Sequence, residues 1–258
     1  MTTLFEALID LAEIVDINKG VATAGSVTGM TDSLLSKPTY YFQGGTLLFI
    51  SGNLANQAKD VLTSGSDGSF TFANSGSAAG NGDKYVAVSG KYTRYEMVSA
   101  VNAALREIRI NASDTSLRGI ASQEIYDLPA GVIDVRQIET STTSGSAGFT
   151  PNYNWQVIGG QIFFDQGRMP VADSYIRLWY TKLPDEVNDE SDTISDEINR
   201  QRLAWAAAYY LMVARLRRGG NEDSGAKKLI DEAEKNKSVY ALRFPVRLRP
   251  KAVKLPNW

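Results

Sequence analysis

The chain has 258 residues and a mass of 28.2 kDa, with 43% hydrophobic and 22% charged side chains, enough apolar material for a core of one or two domains. Its 27 basic and 29 acidic side chains leave a net charge of −2, which excludes a chain that grips nucleic acid through overall positive charge. Histidine and cysteine are both absent, and with them go Ser-His-Asp and Cys-His catalysis, thiol redox chemistry, disulfides, and zinc or haem held by those ligands.

Residues 1–20 carry Glu6, Asp10, Glu13 and Asp16 and lack the basic start and unbroken apolar run of a secretion signal. They predict a helix instead: Thr3 and Glu6 form a capping-box pattern, Leu4, Leu8, Leu11 and Val15 share a face, and Gly20 ends it. Residues 20–90 then hold 12 of the 22 glycines. Short apolar or alternating runs at Thr46–Ile50, Gln57–Thr63, Ser69–Ala73 and Lys84–Val88 are separated by turn pairs such as Gly44-Gly45 and Asp67-Gly68, the pattern of short antiparallel strands. Aromatics from Tyr40 to Tyr85 argue against disorder there. A second helix is predicted from Thr93, with Glu96 as its box partner and Met97, Val101, Ala104 and Ile108 as its apolar face.

Residues 120–182 read as strands. Val132, Val135 and Ile138 precede a Ser/Thr/Gly loop at 140–148. Trp155–Ile158 and Gln161–Phe164 flank Gly159-Gly160, a two-residue hairpin signal. Tyr175–Thr181 alternates, with Ile176, Leu178 and Tyr180 on one side and Arg177 and Trp179 on the other. Residues 185–197 contain seven acidic and no basic side chains. They lack the ligand spacing of a calcium loop and read as a solvated linker and helix start.

A helix follows from Asp196 to Arg218, with Ile198, Trp205, Tyr209, Met212 and Leu216 on one face and an arginine-rich end that suits the helix dipole. Its apolar stretch from Leu203 to Ala214 falls short of the roughly 20 residues that span a bilayer, so no membrane is expected. Gly219-Gly220 break it. The segment Gly220 to Lys227 lacks the Gly-Lys-Ser/Thr of a phosphate loop and reads as a turn into a last helix, Ser224–Ala241. The strip 243–258 has five basic side chains, no acidic ones and three prolines, and predicts an extended docking segment.

These elements predict an α+β fold: a helical-bundle core (1–19, 91–119 and the hairpin within 185–242), an inserted antiparallel β module (20–90), a second antiparallel β subdomain (120–184) and an extended tail (243–258). Catalytic, cofactor and metal residues are not assigned. Strand aromatics such as Trp155, Phe163, Phe164 and Trp179 suit a core or an interface better than sugar stacking.

The order of the last third is the most telling. Strand Tyr175-Ile-Arg-Leu-Trp-Tyr-Thr-Lys-Leu-Pro184, an acidic linker, Ile198-Asn-Arg-Gln-Arg-Leu-Ala-Trp-Ala-Ala-Ala-Tyr-Tyr-Leu211, a helical hairpin and a basic tail together resemble the head-to-tail connector (adaptor) proteins of tailed bacteriophages. Tyr40-Tyr-Phe-Gln-Gly-Gly-Thr-Leu-Leu-Phe-Ile50 is similar to segments of such virion proteins. The insertion at 20–90 departs from simpler, mainly helical adaptors.

The resemblance implies a non-catalytic structural virion protein at the head–tail junction, assembled in the host cytoplasm as a ring, typically a dodecamer. Its partners would be the portal protein and downstream tail or neck proteins, and double-stranded DNA would pass through its channel without sequence-specific binding. No cofactor is implied. Portal docking is expected from Arg243, Phe244, Val246, Arg247, Leu248, Arg249, Lys251 and Trp258, since Trp and Arg anchor interfaces. Subunit packing is expected from Trp205, Tyr209, Tyr210 and Met212. The alternatives are a carbohydrate-binding or decoration protein and a carboxylate-dependent glycan hydrolase.

Overall fold

The computed structural model describes residues 1–143, 148–219 and 224–251. The chain opens with β1 (Thr2–Thr3) and α1 (Leu4–Val15). Eight short strands follow: β2 (Asn18–Val21), β3 (Ala24–Gly25), β4 (Gly29–Thr31), β5 (Thr46–Phe49), β6 (Gln57–Asp60), β7 (Thr63–Ser64), β8 (Ser69–Thr71) and β9 (Lys84–Val88). After α2 (Arg94–Leu105) come β10 (Ile110–Asp114), β11 (Ile125–Asp127), β12 (Asp134–Ser141), β13 (Thr150–Asn152), β14 (Trp155–Ile158), β15 (Gln161–Phe164) and β16 (Tyr175–Lys182). The chain closes with β17 (Thr193–Ile194), α3 (Arg200–Gly219) and α4 (Ser224–Arg243).

The expectation of an α+β protein on a helical-bundle core is overturned. The chain is mostly β, its described strands forming five antiparallel sheets against four helices. The reason is strand length. Most of these strands run two to five residues, too short for a period of two to stand out, whereas a helix repeats its 3.6-residue pattern over several turns.

Two compact units result, Met1–Glu107 with Asp185–Pro245, and Ile108–Pro184 with the segment that begins at Val246. In the first, residues 18–88 form two four-stranded sheets, ordered β2–β9–β5–β6 and β3–β4–β8–β7. Phe42, Leu47, Phe49, Phe70, Phe72 and Tyr85 fill one core with them. Alternation along β5 and β9 sends Leu48, Val86 and Val88 to the other face. These are also fully buried, because α1 borders β9 and α2 borders β6. The β insertion is thus part of the same compact unit as the helices.

Gly20 has a different task from the one its position suggests. Helix α1 ends at Val15, and Gly20 lies in β2 opposite Tyr85. A Cβ there would fall 2.3 Å from Asp32 Oδ2. The missing side chain lets the Tyr85 hydroxyl donate to Asp32 Oδ2 at 2.8 Å. Asp32 is 3% exposed and also accepts from the backbone N–H groups of Val21 and Leu34, so its carboxylate is satisfied without a cation.

Both capping boxes form, Thr3 with Glu6 and Thr93 with Glu96. Helix α3 is central, bordered by α1, α2 and α4, and its buried face includes Ala204, Ala206, Ala207 and Ala208 between Leu203 and Leu211. The acidic segment ahead of it keeps most of its carboxylates exposed, as expected, but its backbone is tied to α2. The Asn102 amide, buried in α2, donates to Val187 O and accepts from Val187 N at 2.8 and 2.9 Å. Glu186 pairs with Arg106, and Glu190 with Arg94.

The second unit has a four-stranded sheet, β10–β16–β12–β13, and a three-stranded sheet, β11–β15–β14. Val135, Ile138, Ile176, Leu178 and Tyr180 of the former share a core with Tyr126, Ile162 and Phe164 of the latter. A bulge between Val135 and Gln137 shifts the β12 register. That extra residue is why Val135 and Ile138, three apart, both face inward, and it leaves Gln137 and Glu139 facing outward beside Trp179 and Arg177. Gly159 and Gly160, at φ +59° and +83°, close the β14–β15 hairpin in the conformation that twisted strands favour.

Burial, followed by the hydrogen bond to Asp32, pushes the Tyr85 hydroxyl well above the ordinary tyrosine range. A raised folded-state value means its stabilisation is complete below about pH 10, the value of a free tyrosine, and is lost as pH rises beyond it. Tyr85→Phe should cost about 1–2 kcal/mol at pH 8, and wild type should lose more stability than the variant between pH 8 and 11. Urea midpoints at the two pH values check both.

Candidate interaction surfaces

Two surfaces stand out, one in each unit. The first is a groove of about 630 Å³ between α2 and α3. On α2, exposed Tyr95 and Ser99 and half-buried Ala103 recur at four-residue spacing along one stripe, and Ala214 faces it from α3. Small residues at the middle of both stripes leave the trough. Its ends are polar. At one, Lys237 Nζ lies 2.7 Å from Glu107 and 4.7 Å from the ring centroids of Tyr209 and Tyr210, while the Tyr210 hydroxyl donates to Glu107.

Burial pushes the Glu107 carboxyl up, but the bonds from Lys237 and Tyr210 outweigh it and hold the group below the usual range. At the other end Arg218 pairs with Glu96, and the Arg215 guanidinium stacks 5.0 Å above Tyr92. Lys91 and Arg217 line the groove with no ion pair among the described residues. Five cations therefore face two carboxylates, with four tyrosines among them. Tyrosine and arginine are the residue types that dominate protein interfaces, and the excess positive charge suits an acidic partner.

The second surface is the outward face of β12 and β16. Its centre is Glu139, 5% exposed. Glu139 Oε2 accepts from Arg177 Nε at 2.6 Å and from Trp179 Nε1 at 2.9 Å, and Oε1 accepts from Gln137 Nε2 at 2.9 Å. The strip after Pro245 lies on this face. Arg249 sets its guanidinium 3.9 Å from the Trp179 ring centroid, donates from Nε to Gln137 Oε1 at 2.9 Å, and stands 3.6 Å from Glu139. The Asn111 amide donates to Arg247 O and accepts from Arg249 N, at 3.0 and 2.9 Å. Lys251 pairs with Asp134 at 2.9 Å. Arg177 continues the stack, 4.0 Å above Phe149.

The residues expected to pack subunits separate. Tyr209 and Tyr210 meet in the groove, rings 5.4 Å apart, whereas Met212 is buried at 3% exposure and Trp205 is half-buried. The residues expected to dock on a portal separate too. Arg243 ends α4, and Phe244 stacks on Tyr240 at 5.9 Å and accepts from Arg202 through its carbonyl. Val246 and Leu248 are half-buried and alternate with exposed Arg247, as the strip pattern predicts. Arg249 and Lys251 are engaged on the chain's own sheet, and Trp258 lies outside the described residues, as do part of the 140–148 loop and of the Gly220–Lys227 turn.

Tyr95, Lys91 and Glu139 carry no sequence signal that singles them out, and Arg217 is legible only as part of the basic end of its helix. The four-residue spacing of Tyr95, Ser99 and Ala103 is legible, but as an exposed face only. Of the strand aromatics, Phe164 is buried against Tyr126 and Trp179 carries Arg249 on its ring. Among the described residues, no three Asp or Glu side chains converge as a cation site, and no helix is long and apolar enough to cross a membrane.

Breaking the Glu139 cluster should be costly, because the two arginines would lose a buried counter-charge. Glu139→Ala should destabilise the protein by about 3 kcal/mol, and Arg249→Ala by about 1 kcal/mol. Denaturant midpoints of the two variants check the order and the size. Comparison with protein-family models finds no match, and comparison with curated proteins finds no similar chain.

Proposed function

We propose that the protein is a structural virion component, a head-to-tail connector that assembles as a ring, most simply a dodecamer, beneath a portal protein. The observation that carries this reading is the groove between α2 and α3. It is concave, rich in tyrosine and arginine, and charged to receive an acidic surface, and it holds Tyr209 and Tyr210, two of the residues assigned to subunit packing. A ring needs one such surface on each copy and a different, complementary surface on the next. The chain order shared with connector proteins supports the same reading, and so does the exposed Arg247 beside the half-buried Val246 and Leu248, which offers a portal an edge to bind. Double-stranded DNA would pass through the ring without sequence-specific contacts, in keeping with a net charge of −2. Ring and portal contacts of this kind call for no catalysis or cofactor.

Native mass spectrometry and negative-stain imaging of the purified chain, alone and with its portal, test the proposal. A closed ring is expected at least in the portal's presence. Arg215→Glu with Arg217→Glu should abolish it while leaving the circular dichroism spectrum unchanged, because both side chains are at the groove surface and reversal opposes an acidic partner. Single copies on the portal, or a ring indifferent to the charge reversal, would overturn the reading.

A further inference from the structure

The strip from Val246 to Lys251 and the sheet face that holds it form a receptor and its ligand joined only by chain connectivity. We propose that they are exchanged between copies: in the assembled ring, the strip of one copy occupies the β12–β16 face of the next. This inference rests on the ring reading above.

Three observations carry it. First, the receptor is built without the strip. Gln137 and Glu139 stand on β12, Trp179 on β16 and Asn111 on β10, strands already paired to one another. Glu139 is held by Arg177, Trp179 and Gln137 before Arg249 adds to it. Second, the strip contributes no strand to the sheet; its described bonds to the receptor run through side chains, namely the Asn111 amide, the Arg249 guanidinium and the Lys251 ammonium. A ligand held this way can leave and be replaced without breaking the sheet.

Third, α4 and Pro245 belong to one compact unit, and the strip belongs to the other. The join is an exposed proline just past the end of α4, with no regular structure after it, so it is the natural hinge. An identical strip from a neighbour restores every contact, including the Arg249 stack on Trp179 and the pairing of Lys251 with Asp134. Exchange therefore trades an intramolecular contact for the same contact in a neighbour, a low-barrier route to assembly. Once copies are held side by side, the high local concentration of strips favours it further. The occupant is thus a second copy, and its recognition chemistry is an extended arginine-proline-lysine segment.

The chain has no cysteine of its own, so engineered thiols report cleanly. Gln156 and Lys251 border the same cleft and are both exposed. One chain carries Gln156→Cys, and a second, distinguished by a mass tag, carries Lys251→Cys. They are mixed under ring-forming conditions and treated with a short bis-maleimide. A covalent pair of one of each is expected, and adding Arg249→Ala to the second chain should lower its yield about tenfold, a loss equal to one strong charged contact. A chain carrying both cysteines should link within itself when dilute and to neighbours when assembled.

A ring of correct mass in which the doubly substituted chain links only within itself overturns the exchange and leaves the ring reading standing. So does a pair whose yield ignores Arg249→Ala, since neighbour proximity alone then explains it. Absence of any ring, with or without portal, overturns both readings together.

Discussion

A carboxylate removed from water must be given donors, and Glu139 is the point on which the second unit's outer face depends. Its desolvation would cost several kcal/mol if uncompensated. Beyond the bulge in β12, Gln137 and Glu139 share the outward side by alternation, and β16 presents Trp179 and Arg177 opposite them. Four groups then share one charge. Arg177 and Arg249 use it as a counter-ion while resting on Phe149 and Trp179, so each guanidinium has a carboxylate at its edge and a ring at its face. The outer face of a sheet would ordinarily be wet. Here a strip of chain covers it, and Arg249 adds a second guanidinium to a carboxylate that the sheet's own donors already hold.

The first unit solves a different problem. Its helices are short of bulk at their contacts: α3 offers alanines inward, and α2 and α3 offer Ser99, Ala103 and Ala214 to the groove. Small inward residues bring helices close, and small outward residues leave a trough that the protein itself does not fill. The β insertion supplies what the helices lack, through Leu48, Val86 and Val88 on a sheet buried on both faces. Its own stability then turns on local polar closure, such as Asp32 with Tyr85 across Gly20.

Most of the periods and caps in the sequence are followed by the structure, but α3 begins at Arg200, past the acidic start expected at Asp196 and past Ile198. Thr3 with Glu6 and Thr93 with Glu96 mark both helix starts, the β9 run lies at Lys84–Val88 as its alternation predicts, and Gly159-Gly160 close the hairpin between Trp155–Ile158 and Gln161–Phe164. The balance of helix and sheet was not legible, because two- and three-residue strands such as Thr63–Ser64 or Gly29–Thr31 are defined by partners far away in the chain. The tethering of the acidic segment was hidden for a related reason. Most of its carboxylates are exposed, as they read, but the sequence does not show that Asn102, Arg94 and Arg106 tie the segment down through contacts that cross 80 residues or more of chain. Of the groove, only Tyr209 and Tyr210 could be found by helical position. Lys91, Tyr95 and Arg217 become a site solely through the packing of α2 against α3.

The same distinction decides what the basic strip can do. As sequence, it is a set of sticky residues with every arginine available to a partner. In the structure its arginines divide by direction. The alternation that half-buries Val246 and Leu248 leaves Arg247 exposed, while Arg249 turns in to Glu139 and Trp179. An extended segment has two faces, and a receptor on one face leaves the other free. A segment gripped on one side by the sheet can still present charge on the other to a partner. Anchoring one face also reduces the conformational entropy that a free tail would lose on binding, so the anchored strip is the better ligand for a second partner.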